Sequence, residues 1–97
     1  MKKLYENPDN LVNIEFANTT DQEKRIWIEP PCEEIYLNAD TEYRVLTHDK
    51  SFRIEFDAEG IVFYFQYTFG FKLFRRPTSE IIHNPYEWTL DFDTSEI

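Results

Sequence analysis

Glycine is nearly missing from this 97-residue chain, which has only Gly60 and Gly70. A phosphate-cradling loop needs several glycines so that backbone amides can close on the anion, which excludes that kind of nucleotide site. One cysteine, Cys32, allows no intramolecular disulfide. It lies between Pro31 and Glu33-Glu34, whose carboxylates would raise the thiol pKa and work against a nucleophile. The two histidines, His48 and His83, are far apart, and neither has ligand-like spacing to Cys32 or to a carboxylate. A paired-histidine acid–base site would need the fold to bring them together, and two surface histidines are the ordinary alternative. Asp91-Phe92-Asp93 sets two carboxylates on one strand face but lacks the third ligand and the glycine of a calcium loop. The expectation is a protein that is not an enzyme and uses no cofactor or metal.

Long apolar runs are absent too. No stretch approaches the ~20 residues that a membrane span requires. The first residues begin like a signal peptide but reach Glu6, Asn7, Pro8 and Asp9 where an apolar run is needed. The chain is therefore expected to be soluble and cytoplasmic. Basic residues are scarce, ten against nineteen acidic, for a net charge of −9. Such a surface repels nucleic-acid phosphate and anionic lipid, so no nucleic-acid or membrane partner is expected, and it suits a basic protein. A surplus of carboxylates also serves simply to keep an aromatic-rich chain soluble.

Aromatic residues are abundant: nine Phe, six Tyr and two Trp. They crowd the centre as Phe52, Phe56, Phe63, Tyr64, Phe65, Tyr67, Phe69, Phe71 and Phe74. Aromatics at alternating positions favour pleated strands, and so many can fill the core of one small domain without a disulfide or metal. Residues 1–97 read as a single β domain in which 1–10 form a loose N-terminal arm.

Period-2 alternation recurs along the chain. Val12, Ile14 and Phe16 alternate with Asn13 and Glu15, and Ile26 and Ile28 with Arg25, Trp27 and Glu29. Pro30-Pro31 ends that strand, because proline cannot donate to a ladder. A short strand over 35–37, then Tyr43, Val45 and Thr47 on one face of a fourth, follow. Phe52, Ile54 and Phe56 alternate with Arg53, Glu55 and Asp57, and Asp57-Ala58-Glu59-Gly60 turns the chain into 61–68. That segment is apolar on both faces and predicts a central strand covered on both sides. A strand over 69–74 bends near Gly70 and closes at Arg75-Arg76-Pro77. Residues 78–83 allow one short helical turn. Tyr86, Trp88, Leu90 and Phe92 alternate with Glu87, Thr89, Asp91 and Asp93 in a last strand. Seven or eight short strands with frequent turns predict an all-β fold, an antiparallel β-sandwich or flattened barrel.

If the apolar sets face inward, the opposite faces carry Glu15, Trp27, Glu29, Glu55, Asp57, Glu87 and Asp91, with only Arg25 and Arg53 interleaved. Glu29, Glu33, Glu34, Asp40 and Glu42 follow one another with no intervening base, and none separates Glu87, Asp91, Asp93 and Glu96. An outward aromatic ringed by carboxylates has the anatomy of a protein-binding surface. The candidate partner-binding residues are therefore Trp27, Glu29, Glu33, Glu34, Tyr36, Glu55, Asp57, Glu87 and Asp91. Burial of Trp27 against an edge or inside the core is the competing expectation. Two other functions stay open: a sandwich module that binds a carbohydrate or small ligand on Trp27, Trp88 and Tyr64, and an oligomer formed where strand 61–67 pairs at a sheet edge.

The run Ile14-Glu15-Phe16-Ala17-Asn18-Thr19-Thr20, then Ile26-Trp27-Ile28-Glu29-Pro30 and the strand 34–37, resembles the front half of a group of small bacterial all-β proteins over residues 12–46. The tryptophan-glycine usual after Glu-Pro in that group is replaced here by Pro31-Cys32. More broadly the chain resembles the immunity proteins of bacterial toxin systems, including contact-dependent growth inhibition. That resemblance implies a small acidic inhibitor in the cytoplasm. It would bind a basic toxin domain, commonly a nuclease, and cover its active site.

Overall fold

A computed structural model of the chain describes residues 11–29, 32–58, 60–65 and 70–94. The expected arm over 1–10, the Pro30-Pro31 corner, the end of the predicted 61–68 strand and Phe69 lie outside these residues. Among the described residues eight strands form: β1 (Val12–Asn18), β2 (Lys24–Glu29), β3 (Glu33–Leu37), β4 (Thr41–Thr47), β5 (Phe52–Asp57), β6 (Gly60–Phe65), β7 (Phe71–Pro77) and β8 (Thr89–Asp93). Two four-stranded sheets, β1-β4-β7-β8 and β3-β2-β6-β5, pack face to face as a sandwich. Their pairings are antiparallel except that of β2 with β6, which run parallel through the middle of the second sheet.

Alternation decides what is buried. Tyr43, Val45, Phe71 and Leu73 from the first sheet meet Ile26, Ile28, Ile35, Leu37, Phe63 and Phe65 from the second. Aromatic contacts close the layers, with Phe16 edge-on to Phe63 at 5.3 Å and Phe65 stacked near Phe71 at 6.1 Å. Tyr43 is fully buried, and its hydroxyl is satisfied by accepting from the Asn38 N–H at 2.6 Å. Burial also pushes the Tyr43 phenol pKa above its ordinary value.

Where the chain crosses from β1 to β2, buried Asn18 ties the sheets together. Its amide donates to the carbonyls of Gln22 (2.8 Å) and Leu37 (3.1 Å), and its oxygen accepts from the Thr20 backbone and hydroxyl. Gly60 is required at the entry to β6. Its φ is +154°, and a Cβ there would stand 2.8 Å from the Arg25 carbonyl oxygen on the parallel neighbour.

Four expectations are corrected. β6 is interior to its sheet, so it is not the edge strand required for the expected oligomer, and only one of its faces is covered: Phe63 and Phe65 are buried while Tyr64 is 39% exposed. The strand buried on both faces is β7, where Phe71, Lys72, Leu73 and Phe74 are all buried, and it runs on through Arg75-Arg76-Pro77. Residues 78–83 form bends, with no helical turn. In β8 a register irregularity opposite Leu73 and Phe74 pairs Leu73 with Phe92 and Phe74 with Leu90, so the inward alternation expected from Tyr86 to Phe92 breaks at Asp91.

Candidate functional site

The outer face of the β3-β2-β6-β5 sheet brings most of the predicted binding residues together. Register aligns Glu34 on β3 with Trp27 on β2, Val62 on β6 and Glu55 on β5 in one row across the sheet. The next row joins Glu29, Tyr64 and Arg53, and the row on the other side joins Tyr36 and Arg25, with Asp57 at the far edge. Tyr36 is 53% exposed; Trp27 is half-buried among its neighbours and does not enter the core. A depression of about 330 Å³ beside Trp27 is bounded by Arg25, Glu34, Asp57, Gly60, Ile61 and Val62.

The carboxylates of this face are held by donors from the same face. The Trp27 indole donates to Glu29 Oε2 at 2.8 Å, and the Cys32 thiol donates to Glu29 Oε1 at 3.2 Å. Cys32 reaches that position from a left-handed backbone conformation, φ 59°, in the turn between β2 and β3. The Tyr36 hydroxyl donates to Glu34 Oε1 at 2.5 Å, while Arg25 pairs with Glu34 Oε2 at 3.3 Å. Arg53 pairs with Glu55 at 2.7 Å.

Protonation follows from these contacts. Donation by Trp27, then by Cys32, holds the Glu29 carboxyl below its ordinary value. The bond to Glu29 pushes the Cys32 thiol up, and the Glu29 and Glu33 charges add to it. The Tyr36 phenol is raised by its bond to Glu34, and the Tyr64 phenol chiefly by the charge of Glu55. The site therefore offers ordered anionic acceptors beside aromatic surface.

Three predicted members lie elsewhere. Glu33 is opposite Ile28 and shares the core-side parity of Ile35 and Leu37. Glu87 is exposed in the segment before β8, outside either sheet, and Asp91 on β8 of the other sheet pairs with Arg75 at 3.5 Å. Glu15 is also on that other sheet, bound to Arg44 at 2.6 Å. Strand alternation separates inward from outward, but a sandwich has two outward faces, and alternation does not say which one a residue is on.

Trp88 does not join a platform with Trp27 and Tyr64. It stacks over the outer face of the first sheet between the guanidinium groups of Arg44 (4.6 Å) and Arg76 (4.1 Å). Arg76 is in turn fixed by Glu42 at 2.9 Å, and Glu42 also accepts from Asn84 at 3.2 Å. This clamp was missed in the sequence, although Arg44 and Arg76, each one strand step from an inward residue, were its available signal. Among the described residues no group of three or more His, Cys, Asp or Glu side chains could hold a metal ion. Comparison with known protein families, curated proteins and solved structures finds no match to this chain.

Proposed function

We propose that this protein is a non-enzymatic inhibitor of the immunity type, acting in the cytoplasm, and that it neutralises a basic toxin domain by laying the outer face of the β3-β2-β6-β5 sheet over its active site. The observation that supports the reading is the convergence of Trp27, Tyr36 and Tyr64 with Glu29, Glu34, Glu55 and Asp57 on one outer sheet face. Carboxylates at the rim steer a cationic partner and raise the rate of encounter, while aromatic side chains fill its pockets and slow release. Several of the acids are already oriented by Trp27, Cys32, Tyr36 and Arg25, so less ordering remains when the complex forms. A nuclease is the partner this chemistry suits best, because its cleft is built to attract phosphate.

The test looks for a gene for a basic toxin domain immediately upstream of this one and measures binding to its product. Glu55 and Asp57 reversed to lysine should slow association at low salt, with the loss shrinking as salt screens the field. Trp27→Ala should speed dissociation with little change in the association rate. Parent-like association of the double reversal at low salt would remove this face from the interface.

A further inference from the structure

The strand β5 closes one edge of its sheet, and among the described residues no strand pairs with it beyond β6. Its core-side residues are not covered either: Phe52 is 42%, Ile54 38% and Phe56 80% exposed. Ile54 and Phe56 flank a groove of about 560 Å³ that opens between them and Phe16 and Ala17 of β1, with Ile61, Phe63 and Leu37 behind. An edge strand with an open backbone ladder and an apolar flank is a site for strand addition.

We infer that β5 pairs antiparallel with β5 of a second copy of this chain, about a two-fold axis through Ile54. The order of the strand, Phe52-Arg53-Ile54-Glu55-Phe56-Asp57, is complementary to itself in that register. Phe52 comes opposite Phe56 of the partner, Arg53 opposite Glu55, Ile54 opposite Ile54, and Asp57 opposite Ser51. Each apolar residue meets an apolar one on the core side, and each arginine meets a glutamate on the outer side. Of the two neighbouring registers that keep the faces aligned, a two-fold through Arg53 sets Arg53 against itself and Asp57 against Asp49, and one through Glu55 pairs Arg53 with Asp57 but sets Glu55 against itself and leaves Phe52 opposite Ala58 in place of an apolar ring. The contact is isologous and closes after two copies. It joins the two sheets into one of eight strands and brings the uncovered apolar side chains of each copy against those of the other. The inference stands independently of what the outer face binds.

Sedimentation equilibrium in reducing buffer, on the full chain with Cys32→Ser to exclude disulfide dimers, tests it. The Cys32→Ser protein should dimerise reversibly below about 1 mM. Arg53→Glu sets one carboxylate against the partner's Glu55 and should weaken the dimer by about tenfold or more, and Arg53→Glu with Glu55→Arg should restore it. Ile54→Lys, at an exposed position, should be monomeric with an unchanged far-ultraviolet circular dichroism spectrum. A protein that stays monomeric to about 1 mM would overturn the inference. So would a charge swap no tighter than the single reversal, or a dimer that survives Ile54→Lys, which would mean that another surface joins the copies.

Discussion

Trp27 and Glu29 stand two residues apart on the same side of β2, and the indole N–H of one donates to the carboxylate of the other at 2.8 Å. The anchor expected of an aromatic interface is thus also the group that fixes an acid beside it. Loss of the indole would change both the shape and the charge of the face.

That bond makes the acid response of Glu29 a direct readout. Its carboxyl pKa is lowered in the folded protein, first by Trp27. The associated stability is present above the ordinary carboxylate range and fades as pH falls through the folded value. Carbon-13 NMR titration of the Glu29 carboxyl should show a midpoint below that of an unstructured glutamate. Trp27→Phe, which keeps an aromatic ring but removes the donor, should move it back up. An unmoved midpoint would mean that the indole bond does not form in solution.

Cys32 is exposed, yet it donates to Glu29 and its pKa is raised by that bond first. Only the thiolate is nucleophilic, so at mildly alkaline pH Cys32 should react with a disulfide reagent more slowly than cysteine in an unfolded peptide. Glu29→Gln should accelerate the reaction by removing the charge that disfavours the thiolate. Stopped-flow absorbance of the released thiol decides it.

Two phenylalanines of neighbouring strands should behave in opposite ways. Phe63 is buried and meets Phe16 and Phe65, so Phe63→Ala should cost about 3–5 kcal/mol in urea unfolding. Phe56 lies on the same side of the sheet but is 80% exposed, so Phe56→Ala should stay within about 0.5 kcal/mol. Similar losses for both would place β5 inside the core.

Strand positions were legible because period-2 alternation is a local property. Val12 to Phe16, Ile26 to Ile28 and Tyr43 to Thr47 each carry it cleanly, and each became a strand with the expected face turned inward. The pairing order was not legible. Phe52, Ile54 and Phe56 alternate as cleanly as any segment, yet they remain uncovered because β5 fell at an edge beyond the reach of the opposite sheet. Position within a sheet is settled by long-range pairing, of which alternation carries no record. The candidate site was legible to the same degree. Trp27, Glu29, Glu34, Tyr36, Glu55 and Asp57 share a face, whereas Asp91, which looks equivalent in sequence, belongs to the other sheet, and Glu87 lies outside both, in the segment before β8. Lys72 was invisible as a buried residue because its burial depends on Asp93, which binds it at 2.9 Å from the far end of the chain.

The parallel seam between β2 and β6 sets the order in which this protein can assemble. Two hairpins, β2 with β3 and β5 with β6, are each closed by a short turn and can form early from contacts close in sequence. Their union sets Trp27 beside Val62 and must wait until β4, which belongs to the other sheet, has been passed. Such non-local closure carries a large entropic barrier and places the chain among slow folders, on the millisecond-to-second scale. Until the seam forms, each hairpin leaves one apolar face and both of its edges in water. The interval before β2 meets β6 is therefore when this chain is most exposed to aggregation.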